Sequence, residues 1–203
     1  MTISYHKGDL PAGLDFGTSI AIDSETMGLR LQRDRLCVVQ LSAGDGTVHV
    51  VHLPDRDYSA PNLRKVLSDP KITKIFHFAR FDLAMIERYF GIICRPVYCT
   101  RTASKLVRTN TERHGLKDLC AELLGVELSK QQQTSDWGAE TLNQQQLDYA
   151  AADVLYLHRL RDKMDALLAR EGRAHLAQAC FDFLPHRASL DLAGWEEEDI
   201  FAH

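Results

Sequence analysis

No window of this 203-residue sequence approaches the run of about 18 apolar residues that a membrane-spanning helix needs. Met1 to Leu10 are polar and mixed, without the basic-then-apolar order of a secretory signal. Cysteine is scarce. Cys37, Cys94, Cys99, Cys120 and Cys180 make an odd set with no CxxC spacing, which argues against a disulfide framework and against structural zinc. Reduced thiols in a cytoplasmic protein are the expectation. An excess of positive charge is also missing, with 24 Lys+Arg against 28 Asp+Glu and a net charge of −4. Proteins that coat long nucleic acid are usually basic, so any nucleic-acid partner here should be short or gripped locally. There is no internal repeat, linker or low-complexity segment. What remains is 45% hydrophobic and 26% charged, an ordinary globular balance. The length suits one domain spanning 1–203, with a sizeable core.

Strand signals come first and helical ones last. Ser19 to Asp23 reads as a buried strand that ends in a carboxylate. Leu36 to Leu41 and Thr47 to Leu53 are two apolar runs separated by Ala43-Gly44-Asp45-Gly46, which predicts a hairpin. Pro61 to Leu67 suggests a short helix, Lys74 to His77 a fourth strand and Val97 to Cys99 a short fifth. Ala79 to Phe90 has helical spacing, stopped by Gly91. Leu116, Leu119, Cys120, Leu123 and Leu124 form an amphipathic stripe ended by Gly125. Asn143 to Glu171 is a long helical stretch, broken at most once, and Asn143 with Gln146 fits a capping box. A further helix is expected over Arg173 to Phe183, then an extended acidic tail from Trp195 to His203. The natural reading is α/β, a mixed sheet flanked by helices with a helical C-terminal half.

Four acids stand out. Asp23 and Glu25 share a face if their strand continues through them. Asp82 falls in the first turns of a helix, and Asp153 lies four residues after Tyr149, about 5–6 Å away on a helix face. Singly, each has an ordinary explanation as a solvated loop, a helix-start acid or a surface pair. Together they do not, because Asp23 follows Ile20-Ala21-Ile22 and Asp153 sits in Ala150-Ala151-Ala152-Asp153-Val154-Leu155. Carboxylates in such settings are costly without a cation. Hard oxygen donors without a His/Cys cluster favour Mg²⁺ or Mn²⁺. Four acids can hold two such ions, the arrangement that serves phosphoryl displacement.

Ile22-Asp23-Ser24-Glu25-Thr26, His77-Phe78-Ala79-Arg80-Phe81-Asp82 and Tyr149-Ala150-Ala151-Ala152-Asp153 resemble, in order and spacing, the three motifs of the DEDDy 3′→5′ exonucleases. The ribonuclease D branch is echoed in His114-Gly115-Leu116-Lys117-Asp118-Leu119, Ser135-Asp136-Trp137 and Leu147-Asp148-Tyr149. Its C-terminal helical RNA-binding domains have no counterpart here. Glu25-Thr26-Met27-Gly28-Leu29, Leu128-Ser129-Lys130-Gln131-Gln132-Gln133 and Asp199-Ile200-Phe201-Ala202-His203 resemble the nanoRNase C family of small bacterial enzymes. The resemblance implies a ribonuclease H-like, DnaQ-like exonuclease fold. It also implies a 3′→5′ exoribonuclease acting on short RNA, especially 5′-phosphorylated diribonucleotides, and a homo-oligomer, an octameric ring. The alternatives are a broader exonuclease on longer RNA or DNA 3′ ends, and a non-enzymatic nucleic-acid-binding scaffold.

By the same resemblance Asp23, Glu25, Asp82 and Asp153 are the metal ligands, for two divalent cations, and Tyr149 holds the attacking water. Leu29 takes the place of an apolar wedge between the last two bases, or else is a loop residue packed on the core. Thr26, Met27 and Gly28 line the same pocket, Gly28 letting backbone approach a ligand. His77 is expected beside the substrate in a supporting role, and Phe81 stacks on a base. His114 and Lys117, just before a helix, grip a phosphate or simply mark a helix start. Arg101, Lys105, Arg108 and Arg113 reach a 5′ phosphate or form a solvated face. Trp195, Ile200 and Phe201, apolar groups among acids, are expected to pack on a neighbouring subunit or back on their own domain.

Overall fold

The structure is a computed structural model that describes all residues except 130, 133 and 203. Lys130, Gln133 and His203, which share in the resemblance, therefore lie outside the described residues.

Among the described residues six strands form one sheet: β1 Thr2–Lys7, β2 Ser19–Thr26, β3 Leu36–Ser42, β4 Thr47–His52, β5 Thr73–Phe76 and β6 Val97–Cys99. Their order is β1-β4-β3-β2-β5-β6. β2, β3 and β4 run antiparallel in turn, and β1 on β4, β5 on β2 and β6 on β5 run parallel, so the sheet is mixed. Every residue of β3 is buried, as a central strand covered on both faces requires. The β3–β4 hairpin turns through Gly44 and Gly46, whose φ angles of 82° and 88° suit glycine.

β1 falls within the stretch read as polar and mixed. It is an edge strand with no fully buried residue, so little apolar burial marks it in sequence. It is tied across to β4 by Tyr5 Oη and His52 Nδ1 at 2.7 Å and by His6 Nε2 and His49 Nδ1 at 3.0 Å.

Among the described residues seven α-helices follow or intervene: α1 Pro61–Ser68, α2 Ala79–Phe90, α3 Thr100–Val107, α4 Leu116–Leu119, α5 Gln144–Leu155, α6 Leu157–Arg170 and α7 Ala174–Leu190. The α4 stripe continues as a π-helical turn over Cys120–Leu124 before Gly125 closes it at φ 67°. The capping box is present: Asn143 accepts from the Gln146 N–H, and the Gln146 side chain accepts from the Asn143 N–H. The single break in the long stretch falls at Tyr156.

Two expectations are corrected. α7 runs on past Phe183 and through Pro185, because Phe181, Pro185 and Ala188 keep one buried face at helical spacing. The tail is not extended. It turns back through Asp191–Trp195, and Arg187 donates hydrogen bonds to the carbonyls of Trp195, Glu196 and Glu198. The Phe201 ring lies 5.8 Å from that of Phe183 on its own α7. Among the described residues no helix is long and apolar enough to cross a membrane.

Candidate active site

β2 does continue through Glu25, so Asp23 and Glu25 project from the same face at its end. Asp23 is paired in register with Gln40 of β3, whose Nε2 donates to Asp23 Oδ2 at 2.7 Å. α5 packs over β2, β3 and β4 and brings Asp153 to this face, one turn beyond Tyr149. Carboxylate oxygens of Asp23, Glu25 and Asp153 come within 4.8 Å of one another. Asp82, in the first turn of α2, is 4% exposed and accepts from Ser24 Oγ at 2.6 Å.

Burial raises the pKa values of all four acids, and neighbouring carboxylates add to it at Asp23, Glu25 and Asp82. Burial pushes Asp23 well above the usual carboxylate range, and Asp82, Asp153 and Glu25 add repulsion. Glu25 is raised by burial and then by Asp153 and Asp82. Burial lifts Asp82 to about 7, against the opposing Ser24 hydrogen bond. It lifts Asp153 to about 7 as well, against the Tyr149 hydroxyl, which favours the charged form. The Tyr149 hydroxyl is raised in turn by burial and by the charges of Asp153, Glu25 and Asp23, so it stays protonated near neutrality. Among the described residues none of the four acids is in a salt bridge. Mutually repelling oxygen donors without a protein cation fit Mg²⁺ or Mn²⁺.

The acids and Tyr149 line a cleft of about 890 Å³. Thr26, Met27, Gly28, Leu29, His77, Phe81 and Lys117 line it too. Leu29 is 78% exposed, so it does not pack on the core. A Cβ at Gly28 would stand 2.4 Å from Asp34 Oδ2, so any larger residue would displace that side chain. Thr26 Oγ1 donates to the Gly28 carbonyl at 2.6 Å and shapes the same turn. His77 Nδ1 pairs with Thr100 Oγ1 at 2.9 Å, and burial followed by nearby Arg101 lowers its pKa to about 3, keeping it neutral.

His114 is not brought to the cleft wall. Its imidazole is buried, with Nδ1 2.8 Å from Ser104 Oγ. Of the basic stretch, Arg101 lines the cleft, and its guanidinium carbon lies 4.9 Å from the centroid of the Phe78 ring. Arg108 is buried and bonded to Glu122 and to the Arg113 carbonyl, while Arg113 pairs with Asp118 at 2.8 Å. Both are structural pairings.

Sequence reasoning missed Ser24 and Gln40, which hold two of the acids. Gln40 could have been flagged as the one amide in the apolar run Leu36 to Leu41. It also missed Glu196 and Glu197 at the cleft wall, for which the sequence carries no local signal.

A family model described as 3′-5′ exonuclease matches residues 9–169. The chain is 56% identical to Brucella melitensis NrnC in a structure with bound Mg²⁺, covering 100% of both chains with a TM-score of 0.96. It is 57% identical to the same protein in a structure bound to pGG, covering 100% of this chain and 99% of that one, with a TM-score of 0.97. Ribonuclease D of Granulibacter bethesdensis is 34% identical over 154 residues, 76% of this chain and 38% of that protein. The chain thus spans about two fifths of the length of such ribonuclease D relatives. The sheet order, the flanking helices and the helical C-terminal half agree with the DnaQ-like exonuclease fold expected from the motifs.

Proposed function

Because the chain belongs to the 3′-5′ exonuclease family, we propose that it is a metal-dependent 3′→5′ exoribonuclease that degrades short oligoribonucleotides to nucleoside 5′-monophosphates. The observation that carries this reading is the convergence of the Asp23, Glu25 and Asp153 carboxylates within 4.8 Å in a cleft that also holds Asp82 and Tyr149. Its preferred substrates are 5′-phosphorylated diribonucleotides. Support comes from the full-length likeness to a protein solved with pGG and from a chain without the positive charge that long RNA demands. It works in the cytoplasm, as a homo-oligomer that forms an octameric ring.

Asp23, Glu25, Asp82 and Asp153 would hold two divalent cations, Mg²⁺ or Mn²⁺. Bound there, such cations supply positive charge to the attacking and departing oxygens of a phosphodiester. Gln40 and Ser24 fix the Asp23 and Asp82 carboxylates in one rotamer each. Tyr149, protonated and one helical turn from Asp153, orients the attacking water through its hydroxyl. Trp137, buried with its ring 6.1 Å from that of Tyr149, limits the motion of the phenol. Leu29 enters between the last two bases, and Thr26, Met27, Gly28 and Phe81 close around them. Neutral His77 stands beside the substrate, and Lys117 meets a phosphate. His114 braces the cleft from behind through Ser104.

A time course on 5′-labelled RNAs of graded length, each beside its DNA counterpart, tests the reading. It predicts a higher kcat/KM for the 5′-phosphorylated dinucleotide than for a 20-mer, and a loss when the 5′ phosphate is removed. Equal values for the 2-mer and the 20-mer would replace it with a broader exonuclease.

A further inference from the structure

The end of the chain is clamped to the cleft. Asp191, 2% exposed, directly follows α7 and is held by two arginines. Arg80 Nε donates to Asp191 Oδ2 at 2.6 Å and Arg80 Nη2 to Oδ1 at 2.8 Å, while Arg187 Nη2 lies 3.0 Å from Oδ1. The same guanidinium groups donate to main-chain carbonyls, Arg80 to that of Glu196 and Arg187 to those of Trp195, Glu196 and Glu198. A bidentate pair on a buried carboxylate holds one geometry where a fully exposed pair does not. Arg80 stands two residues before Asp82 on α2, so the C-terminal segment is fixed relative to the acids.

This clamp places Glu196 and Glu197 on the cleft wall. Both are exposed, and among the described residues neither is in a salt bridge. Arg101 and Lys117 line the same cleft from α3 and α4. A short strand can set its few phosphates beside these cations, whereas each further nucleotide adds a phosphate with fewer cations left to meet.

Building on the exonuclease reading above, we infer that the Arg80–Asp191–Arg187 clamp sets substrate length by holding Glu196 and Glu197 as an anionic wall against the phosphates of longer strands. Repulsion of this kind acts over a Debye length, about 8–10 Å at ordinary salt, and is screened as salt rises. Arg187 is a positioning residue, since it touches the wall segment and not the cleft. Glu196 and Glu197 determine specificity.

The test compares kcat and KM on 5′-phosphorylated di- and pentaribonucleotides at low and high salt. The proteins are the full-length wild type, Glu196→Gln/Glu197→Gln, Arg187→Gln, and the control Glu198→Gln/Asp199→Asn. The double cleft variant should gain about 2- to 10-fold in kcat/KM on the pentamer, the scale of one or two exposed charge interactions. The gain should come through KM and shrink at high salt, with the dinucleotide nearly unchanged. Arg187→Gln should gain in the same direction, and the control, whose charges lie off the cleft wall, should gain less than the cleft variant. Equal changes on both lengths, no change, or the same gain in the control would overturn the inference. A wild type that hydrolyses the dinucleotide while the variants show no length effect refutes the wall alone. A wild type inactive on both substrates refutes the exonuclease reading, and the wall with it.

Discussion

Ser24 and Asp82, 58 positions apart in sequence, are joined by a 2.6 Å hydrogen bond from Ser24 Oγ to Asp82 Oδ1. The bond links the middle of the Asp23-Ser24-Glu25 strand end to the first turn of α2. It holds a carboxylate that is almost fully buried. Ser24→Ala removes the donor at little cost in volume and leaves that carboxylate free to turn. Loss of a group that orients a metal ligand typically costs about 10- to 100-fold in metal affinity or activity. The Mg²⁺ concentration for half-maximal activity should rise by that order, with the circular dichroism spectrum unchanged. An unchanged Mg²⁺ titration would show that Asp82 needs no such support.

Tyr149→Phe keeps the ring beside Trp137 and deletes only the hydroxyl. If that hydroxyl orients the attacking water, kcat on a diribonucleotide should fall by about 10²–10⁴, the usual scale for a group acting in proton transfer. KM should barely move, because the ring and the cleft wall remain. Steady-state kinetics separate the two parameters, and a near-normal kcat would remove Tyr149 from the chemistry.

Leu29 contributes little to folding, being 78% exposed, so Leu29→Ala should change stability by no more than about 0.5 kcal/mol. Its effect should fall on substrate. Base stacking is worth about 1–3 kcal/mol per base, so the dinucleotide rate should drop by about tenfold. Longer RNA, with further contacts, should lose less. A uniform loss across lengths would mean that Leu29 is no wedge.

What was legible in sequence followed from burial and capping. α2 and β6 have the bounds expected from sequence, α2 because its helical spacing ends at Gly91. The Asn143–Gln146 box marked the start of α5 for the same reason. β1 escaped because an edge strand presents polar residues such as Ser4, His6 and Lys7. α7 runs past Phe183, the end expected from sequence, because Phe181, Pro185 and Ala188 carry the buried face on. In the site, Asp23 and Glu25 declared themselves by spacing along one strand. Ser24 meets Asp82, Gln40 meets Asp23, and Glu196 and Glu197 reach the cleft only once the chain is folded. His114 looked like a phosphate ligand from its place before a helix, yet its ring turns inward to Ser104.

The most direct test is hydrolysis of a 5′-phosphorylated diribonucleotide by protein freed of metal with EDTA, dialysed, and titrated with Mg²⁺ or Mn²⁺, beside Asp153→Asn. Without a cation, four crowded carboxylates have no positive charge to offset their repulsion or to offer a phosphate. No hydrolysis is expected before the cation is added, with release of nucleoside 5′-monophosphates after it and loss of that response in Asp153→Asn. Hydrolysis that persists undiminished in EDTA, or an Asp153→Asn variant as active as wild type, would contradict it.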